Sequence, residues 1–119
     1  MPEPGQVFDP ARHVSAGLAM ERLPARGGKR FESIFRHGSL QVEMYAPRGR
    51  DAQRPHTRDE MYLVVRGSGH FVNGTQRFVF RAGDLLFAAA GEEHRFEDTG
   101  EDFFAWVFFY GPEGGEKPR

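Results

Sequence analysis

Residues 54–69 read RPHTRDEMYLVVRGSG, and the fold turns on how that stretch is divided. The run from Glu60 to Arg66 is β-branched and aromatic-rich, and Gly67-Ser68-Gly69 stops it, so it reads as a strand. Period-2 alternation places Glu60, Tyr62 and Val64 on one face and Met61, Leu63 and Val65 on the other. The second face is uniformly apolar and needs a cover, either the segment around Val14 to Leu23 or a second subunit. Immediately upstream, His56 and Glu60 lie four positions apart. In an extended strand that is about 13 Å, too far for one ion to bind both. Pro55 and the β-rich run argue against a helix, which leaves a tight turn at Thr57-Arg58-Asp59, with His56 ending one strand and Glu60 opening its neighbour. In that arrangement the two side chains converge; the alternative is a solvated turn with no chemistry. Asp59 reads as a turn residue.

Working outward, turn signals recur every eight to twelve residues. Phe31 to Arg36 and Leu40 to Tyr45 form a hairpin around His37-Gly38-Ser39, and Asn73-Gly74 lies between apolar runs as a second hairpin signal. A turn at Gly83 and the segments DLLFAA, HRFED and FFAWVFFYG complete about eight short strands, the pattern of a β-sandwich or barrel. The last strand alternates Phe104, Trp106, Phe108 and Tyr110 against Ala105, Val107 and Phe109, again apolar on both faces, which points to a homodimer. Fifteen glycines, eight prolines and twelve phenylalanines suit many short strands with aromatic packing. Phe71, Phe78, Phe80, Phe87, Phe96 and Trp106 are the expected core.

The chain is 119 residues long, the size of one domain. Residues 1–12 and 111–119 are rich in proline and glycine and are expected to be flexible, which leaves 13–110 as the barrel domain. Sixteen Lys and Arg oppose seventeen Asp and Glu without a basic block, so nucleic acid is not an expected partner. There is no cysteine, which removes disulfides, thiolate metal sites and cysteine nucleophiles together. The longest apolar run, Leu85 to Ala90, falls far short of the roughly 20 residues of a membrane span. The expectation is a soluble, cytoplasmic protein with no membrane partner. No Ser-His-Asp set and no phosphate-binding glycine loop stands out.

Downstream, His94 follows a glycine turn and shares a face with Phe96, so its imidazole points inward beside an aromatic. His70 reads as exposed, since Phe71 is the more inward of the pair.

At this point the chain resembles the cupin superfamily, small jelly-roll β-barrels also described as double-stranded β-helices. The first cupin motif runs glycine, His-x-His, glutamate, glycine. Glu60 and Gly67 keep its last spacing, His56 stands where the second histidine belongs, Arg54 replaces the first, and Gly49 lies one residue nearer than the motif expects. In the second motif Gly83, Gly91 and His94 match, while Ala89 replaces a proline and Asp98 an asparagine. The resemblance covers Phe31 to Tyr110. It implies an all-β, single jelly-roll barrel holding a divalent transition metal (iron, manganese, zinc or nickel) through His56, Glu60 and His94. Arginine offers no lone pair, so Arg54 cannot ligate; either it sits at the pocket mouth as a fixed cation for a carboxylate or phosphate, or it is a solvated loop residue. Two imidazoles and one carboxylate resemble the facial set of non-haem iron(II). The resemblance further implies a metal-dependent enzyme, a dioxygenase or isomerase acting on a small molecule, with Tyr62 and Arg54 orienting the substrate. The alternatives are a non-catalytic small-ligand or sensor module and a vestigial site in which Arg54 has displaced the ion and pairs with Glu60.

Overall fold

A computed structural model describes residues 12–51 and 53–117. The expected terminal segment 1–12 lies, apart from Arg12, outside the described residues. Eight strands carry the fold: β1 (Phe31–His37), β2 (Leu40–Tyr45), β3 (Asp59–Arg66), β4 (Ser68–Asn73), β5 (Gln76–Arg81), β6 (Leu85–Ala88), β7 (His94–Glu97) and β8 (Phe104–Tyr110). One short helix, α1 (Ala16–Met20), is capped by the Ser15 hydroxyl, which accepts the Leu18 N–H. Hydrophobic periodicity together with the turn signals located the strands. The hairpin glycine Gly74, at φ 60°, lets β4 reverse into β5 through a two-residue turn between Asn73 and Gln76.

Every pairing is antiparallel, in a five-stranded sheet ordered β1-β2-β8-β3-β6 and a three-stranded sheet ordered β5-β4-β7. Successive strands from β3 onward pass between the two sheets except at the β4–β5 hairpin, as a jelly roll requires. Gly67, between β3 and β4, makes one such crossing at φ 91°, with its α-carbon pressed so close to Phe103 that an added Cβ would sit 2.8 Å from the Phe103 Cα. Only glycine satisfies both demands.

Alternation in β3 holds as read: Glu60, Tyr62 and Val64 are buried, while Met61, Leu63 and Val65 are half-buried on the outer face. The lower interior is aromatic. Tyr62, Phe71, Phe80, Phe96 and Phe103 are buried together, with Phe96 centroids 4.9 Å from both Tyr62 and Phe103. Three of the expected core aromatics lie elsewhere. Phe87, opposite Met61, and Trp106, opposite Leu63 and Met44, belong to the outer face, because the pleat sends alternate residues of β6 and β8 outward. Phe78 keeps register with Phe71 but lies on an edge strand with one flanking neighbour; Phe78 and Phe87 are 45% and 48% exposed.

In β2 the usual rule of apolar side chains in and polar ones out is inverted. Leu40, Val42 and Met44 face outward, yet Met44 is fully buried, as is Ala19 of α1. Gln41, Glu43 and Tyr45 face the interior, where they line a cavity. The barrel is packed with phenylalanine at one end and polar at the other.

Candidate metal centre

The polar end is built first by the chain between β2 and β3. Pro55 and the bends at Thr57 and Arg58 end any regular path, and β3 starts at Asp59. His56 was expected to end a strand; it lies instead in an unpaired loop, and the bends at 57–58 alone fold it back over Glu60. Four hydrogen bonds from backbone N–H groups fix that turn. The His56 carbonyl accepts the Gly91 N–H at 2.8 Å, and the Thr57 carbonyl accepts the Gly114 N–H at 2.7 Å. The buried Asp59 carboxylate accepts the N–H groups of Ala90 and Glu116, at 2.9 and 2.7 Å. Asp59 is therefore a brace, not a ligand, and it ties the C-terminal residues onto the barrel mouth. Gly111, whose N–H reaches the Ser39 hydroxyl at 3.2 Å, extends that seam.

His56, Glu60 and His94 meet. One ligand atom from each lies within 4.8 Å of the others. His56 Nε2 is 3.9 Å from Glu60 Oε1, and His94 Nε2 touches that same oxygen. His94 Nδ1 lies 2.9 Å from the Glu92 carbonyl oxygen. A carbonyl can only accept, so Nδ1 carries the hydrogen and Nε2 presents a lone pair toward Glu60 and the Tyr62 hydroxyl in the neutral ring.

Glu60 is 1% exposed, and apart from the His94 Nε2 contact neither of its carboxylate oxygens has a hydrogen-bond partner among the described residues. Its ladder neighbours explain this: Phe109 on one side and Ala88 on the other bring no donor. A buried carboxylate left without donors is costly, and a bound cation satisfies it. Two imidazole nitrogens and one carboxylate oxygen converging on a point are the donor set of iron(II), zinc, manganese or nickel, so the residues present fit such an ion. Burial pulls the His94 pKa down, but the Glu60 carboxylate more than offsets this and holds it above the ordinary histidine value.

A hydrogen-bonded chain stands behind the cluster. The Tyr62 hydroxyl lies 3.1 Å from His94 Nε2 and also donates to Gln53 Oε1 at 3.1 Å. Gln53 Nε2 donates to Asp51 Oδ2 at 2.8 Å, and that oxygen also accepts the Phe96 N–H at 2.8 Å. The Tyr45 hydroxyl donates to Asp51 Oδ1. Burial, then the Glu60 charge, pushes the Tyr62 phenol well above its usual pKa; burial and Asp51 do the same for Tyr45. Both phenols stay protonated at any ordinary pH.

In front of the cluster lies a cavity of about 720 Å³ whose wall includes Glu43, Tyr45, Gln53, Arg54, His56 and Glu60. Arg54 is exposed at its rim and makes no ion pair with Glu60 among the described residues, so the vestigial arrangement with that pair is not the one the chain adopts. His70, expected to be exposed, is half-buried, because its ring pairs with Asp98 at 2.8 Å. Sequence reading missed Glu43, Tyr45, Asp51 and Gln53. The signal for two of them was the polar alternation Gln41, Glu43, Tyr45 in LQVEMY, which in a barrel with a wet interior marks the cavity side. Asp51 and Gln53 sit in loop sequence with no pattern to reveal them.

The family model for the cupin domain (cupin 2) matches residues 41–110. An uncharacterized protein of Streptomyces coelicolor is 32% identical over 98 residues, covering 81% of this chain and 91% of that protein. Among solved structures, a cupin-2 domain containing protein from Shewanella frigidimarina superposes with a TM-score of 0.66 at 15% identity, over 82% of this chain and 94% of that one. An RmlC-like cupin from Methanocaldococcus jannaschii, described as a double-stranded β-helix, gives 0.59 at 11% identity over 67% and 77%. With the motif residues in place, the jelly-roll order of its strands and these matches, the chain belongs to the cupin 2 family of small single-domain β-barrels.

Proposed function

We propose that this cupin is a metal-dependent enzyme acting on a small molecule by isomerase- or oxygenase-type chemistry. The observation that supports it is the buried Glu60 carboxylate, short of donors and flanked by two imidazoles whose nitrogens converge on it. His56, Glu60 and His94 would hold a divalent transition metal; when bound, such an ion supplies Lewis-acid polarisation of an oxygen-bearing substrate or a site for oxygen. Tyr62, whose hydroxyl can face either His94 or Gln53, would donate a hydrogen bond to the substrate. Arg54 at the rim would orient an anionic group. The aromatic floor keeps bulk water from the reacting end. Residues 13–110 act as the catalytic barrel in this reading, between terminal segments 1–12 and 111–119, and the half-buried outer face of β3 and β8 suits a cytoplasmic homodimer.

Metal analysis of protein purified without chelator or nickel resin tests the reading. Stoichiometric metal in the wild type that is lost in His94→Ala supports it. Wild-type protein that holds no metal, and whose melting does not respond to added metals, overturns it. Metal retained with no turnover on any oxygenation or isomerisation substrate would assign a binding module instead.

A further inference from the structure

The cavity wall is a small lattice. Across three strands the register sets Gln41, Phe109 and Glu60 in one row and Glu43, Val107 and Tyr62 in the next, all facing inward. Glu43 is therefore two ladder steps from Tyr62, about 10 Å between backbones, and it lines the same cavity as His56 and Glu60. A small ligand fits that gap.

Most other polar groups on the wall are already committed. Asp51 accepts from Tyr45, Gln53 and the Phe96 backbone. The two phenols keep their protons. Arg48 is spent on the carbonyls of Ala46, Pro47 and Phe103, and Glu113 is exposed at the rim. Outside the His56, Glu60, His94 cluster, Glu43 is the interior carboxyl group of the wall with spare acceptor capacity: Gln41 Nε2 donates to Oε2 at 2.9 Å, and no lysine or arginine forms an ion pair with it among the described residues. Burial raises its pKa, the Gln41 hydrogen bond offsets part of this, and Glu60 across the cavity adds to the rise. The charged groups of β1 that act on it, Arg36 and Glu32, oppose each other.

We propose that Glu43 is the proton-exchanging residue of the cavity, and that its substrate is a small carbonyl compound with a C–H bond beside the carbonyl. This rests on the metal-dependent reading above and selects its isomerase branch. The Glu43 carboxylate takes the proton from the carbon next to the carbonyl. The C–H electron pair becomes the C=C bond of the enolate, and the carbonyl π pair moves onto oxygen, which faces the His56, Glu60, His94 cluster. Return of the proton to the same carbon re-forms the carbonyl and restores the Glu43 carboxylate. In a 2-hydroxycarbonyl compound the hydroxyl proton passes to the former carbonyl oxygen within the enediolate, the oxygen it leaves forms the new C=O, and the C=C pair takes the Glu43 proton at the former carbonyl carbon, which again restores the carboxylate. The step needs no oxidant.

The test follows exchange of the C3 protons of 2-oxobutyrate for deuterium by proton NMR, using the protein as purified, with its metal content measured alongside and a matched free-metal blank. Exchange by the wild type above the blank, slowed about 100-fold or more in Glu43→Gln and partly restored in Glu43→Asp, with metal content unchanged, is the expected result. Equal exchange in Glu43→Gln, or metal-bound wild type that exchanges nothing, overturns the proposal. Wild-type protein without metal overturns the metal-dependent reading instead, and the carboxyl carbon-13 signal of Glu43 in that protein then decides the residue itself. Titration above the ordinary glutamate range keeps it as a proton-exchanging group, and titration within that range removes it.

Discussion

His94 hands its Nδ1 hydrogen to the Glu92 carbonyl at 2.9 Å, and this one contact decides the chemistry of the opposite edge of the ring. With Nδ1 committed, Nε2 is left between the Tyr62 hydroxyl and a Glu60 oxygen. A lone pair facing a carboxylate is repulsive. Without a metal the conflict is relieved by a proton on Nε2, and with a metal it is relieved by the ion, so proton and metal compete for the same position.

That competition has a sign. The folded-state pKa of His94 is raised above its unfolded value, near 6.5, so its stabilising contribution is fully present below the unfolded pKa and is lost as pH rises through the folded one. Chelator-treated protein should therefore melt at progressively lower temperature as pH climbs from about 6.5 into the alkaline range. Glu60→Gln should flatten the dependence, since it removes the charge that raises the pKa. A metal-free wild type whose melting temperature is level across that window would sink the account.

Metal affinity should move the other way. Below the His94 pKa, binding must displace the proton, so affinity climbs by up to about tenfold per pH unit and levels off above it. At a free metal concentration 100 times Kd the fold gains about 2.7 kcal/mol, several degrees of melting temperature for a chain of this size. His94→Ala and His56→Ala should abolish that gain. Thermal melts with and without added zinc or manganese at two pH values read both effects.

The residues that alternate or turn were legible in the sequence; those that depend on which side of a sheet is wet were not. Period-2 runs located β3, β4 and β8, and the turn glycines located their ends. Glu60, Gly67, Gly91 and His94 carried a motif spacing, so the ligand set could be named before any contact was known. Glu43 was hidden because a polar residue alternating with Val42 and Met44 normally faces solvent, and only the closure of one sheet over another turns that face into a cavity. Phe78 and Phe87 were misplaced for the converse reason: hydrophobicity does not say whether a strand is central or at an edge.

Gly67 differs from Gly74 in what a side chain would meet there. At Gly67 a methyl group meets the Phe103 backbone at 2.8 and 3.1 Å with φ at 91°, and neither partner is a flexible side chain that can step aside. Gly74 has φ 60° and open space around it. Gly67→Ala should cost about 3 kcal/mol or more, or prevent folding, whereas Gly74→Ala should cost only the left-handed conformation, about 1–2 kcal/mol. Urea denaturation of the two variants side by side checks the contrast, and equal losses would show that the close approach is unimportant.

Asp51 should control metal binding without touching the metal. Its carboxylate gathers the Tyr45 hydroxyl, the Gln53 amide and the Phe96 N–H, and so ties the loop that carries His56 to the strand that carries His94, two residues before Phe96. Asparagine preserves the shape but offers one acceptor oxygen and turns a donor toward groups that themselves donate. Asp51→Asn should destabilise the metal-free protein by about 2–4 kcal/mol, the scale of losing hydrogen bonds to a buried charge. Because His56 and His94 then lose their common anchor, affinity should also fall about 10- to 100-fold, as it does when groups that orient metal ligands are removed. Competition titration against a chromophoric chelator separates the two effects. If affinity is unchanged while stability drops, Asp51 serves the fold alone and the loop positions His56 by other means, chiefly the Gly91 and Gly114 backbone links.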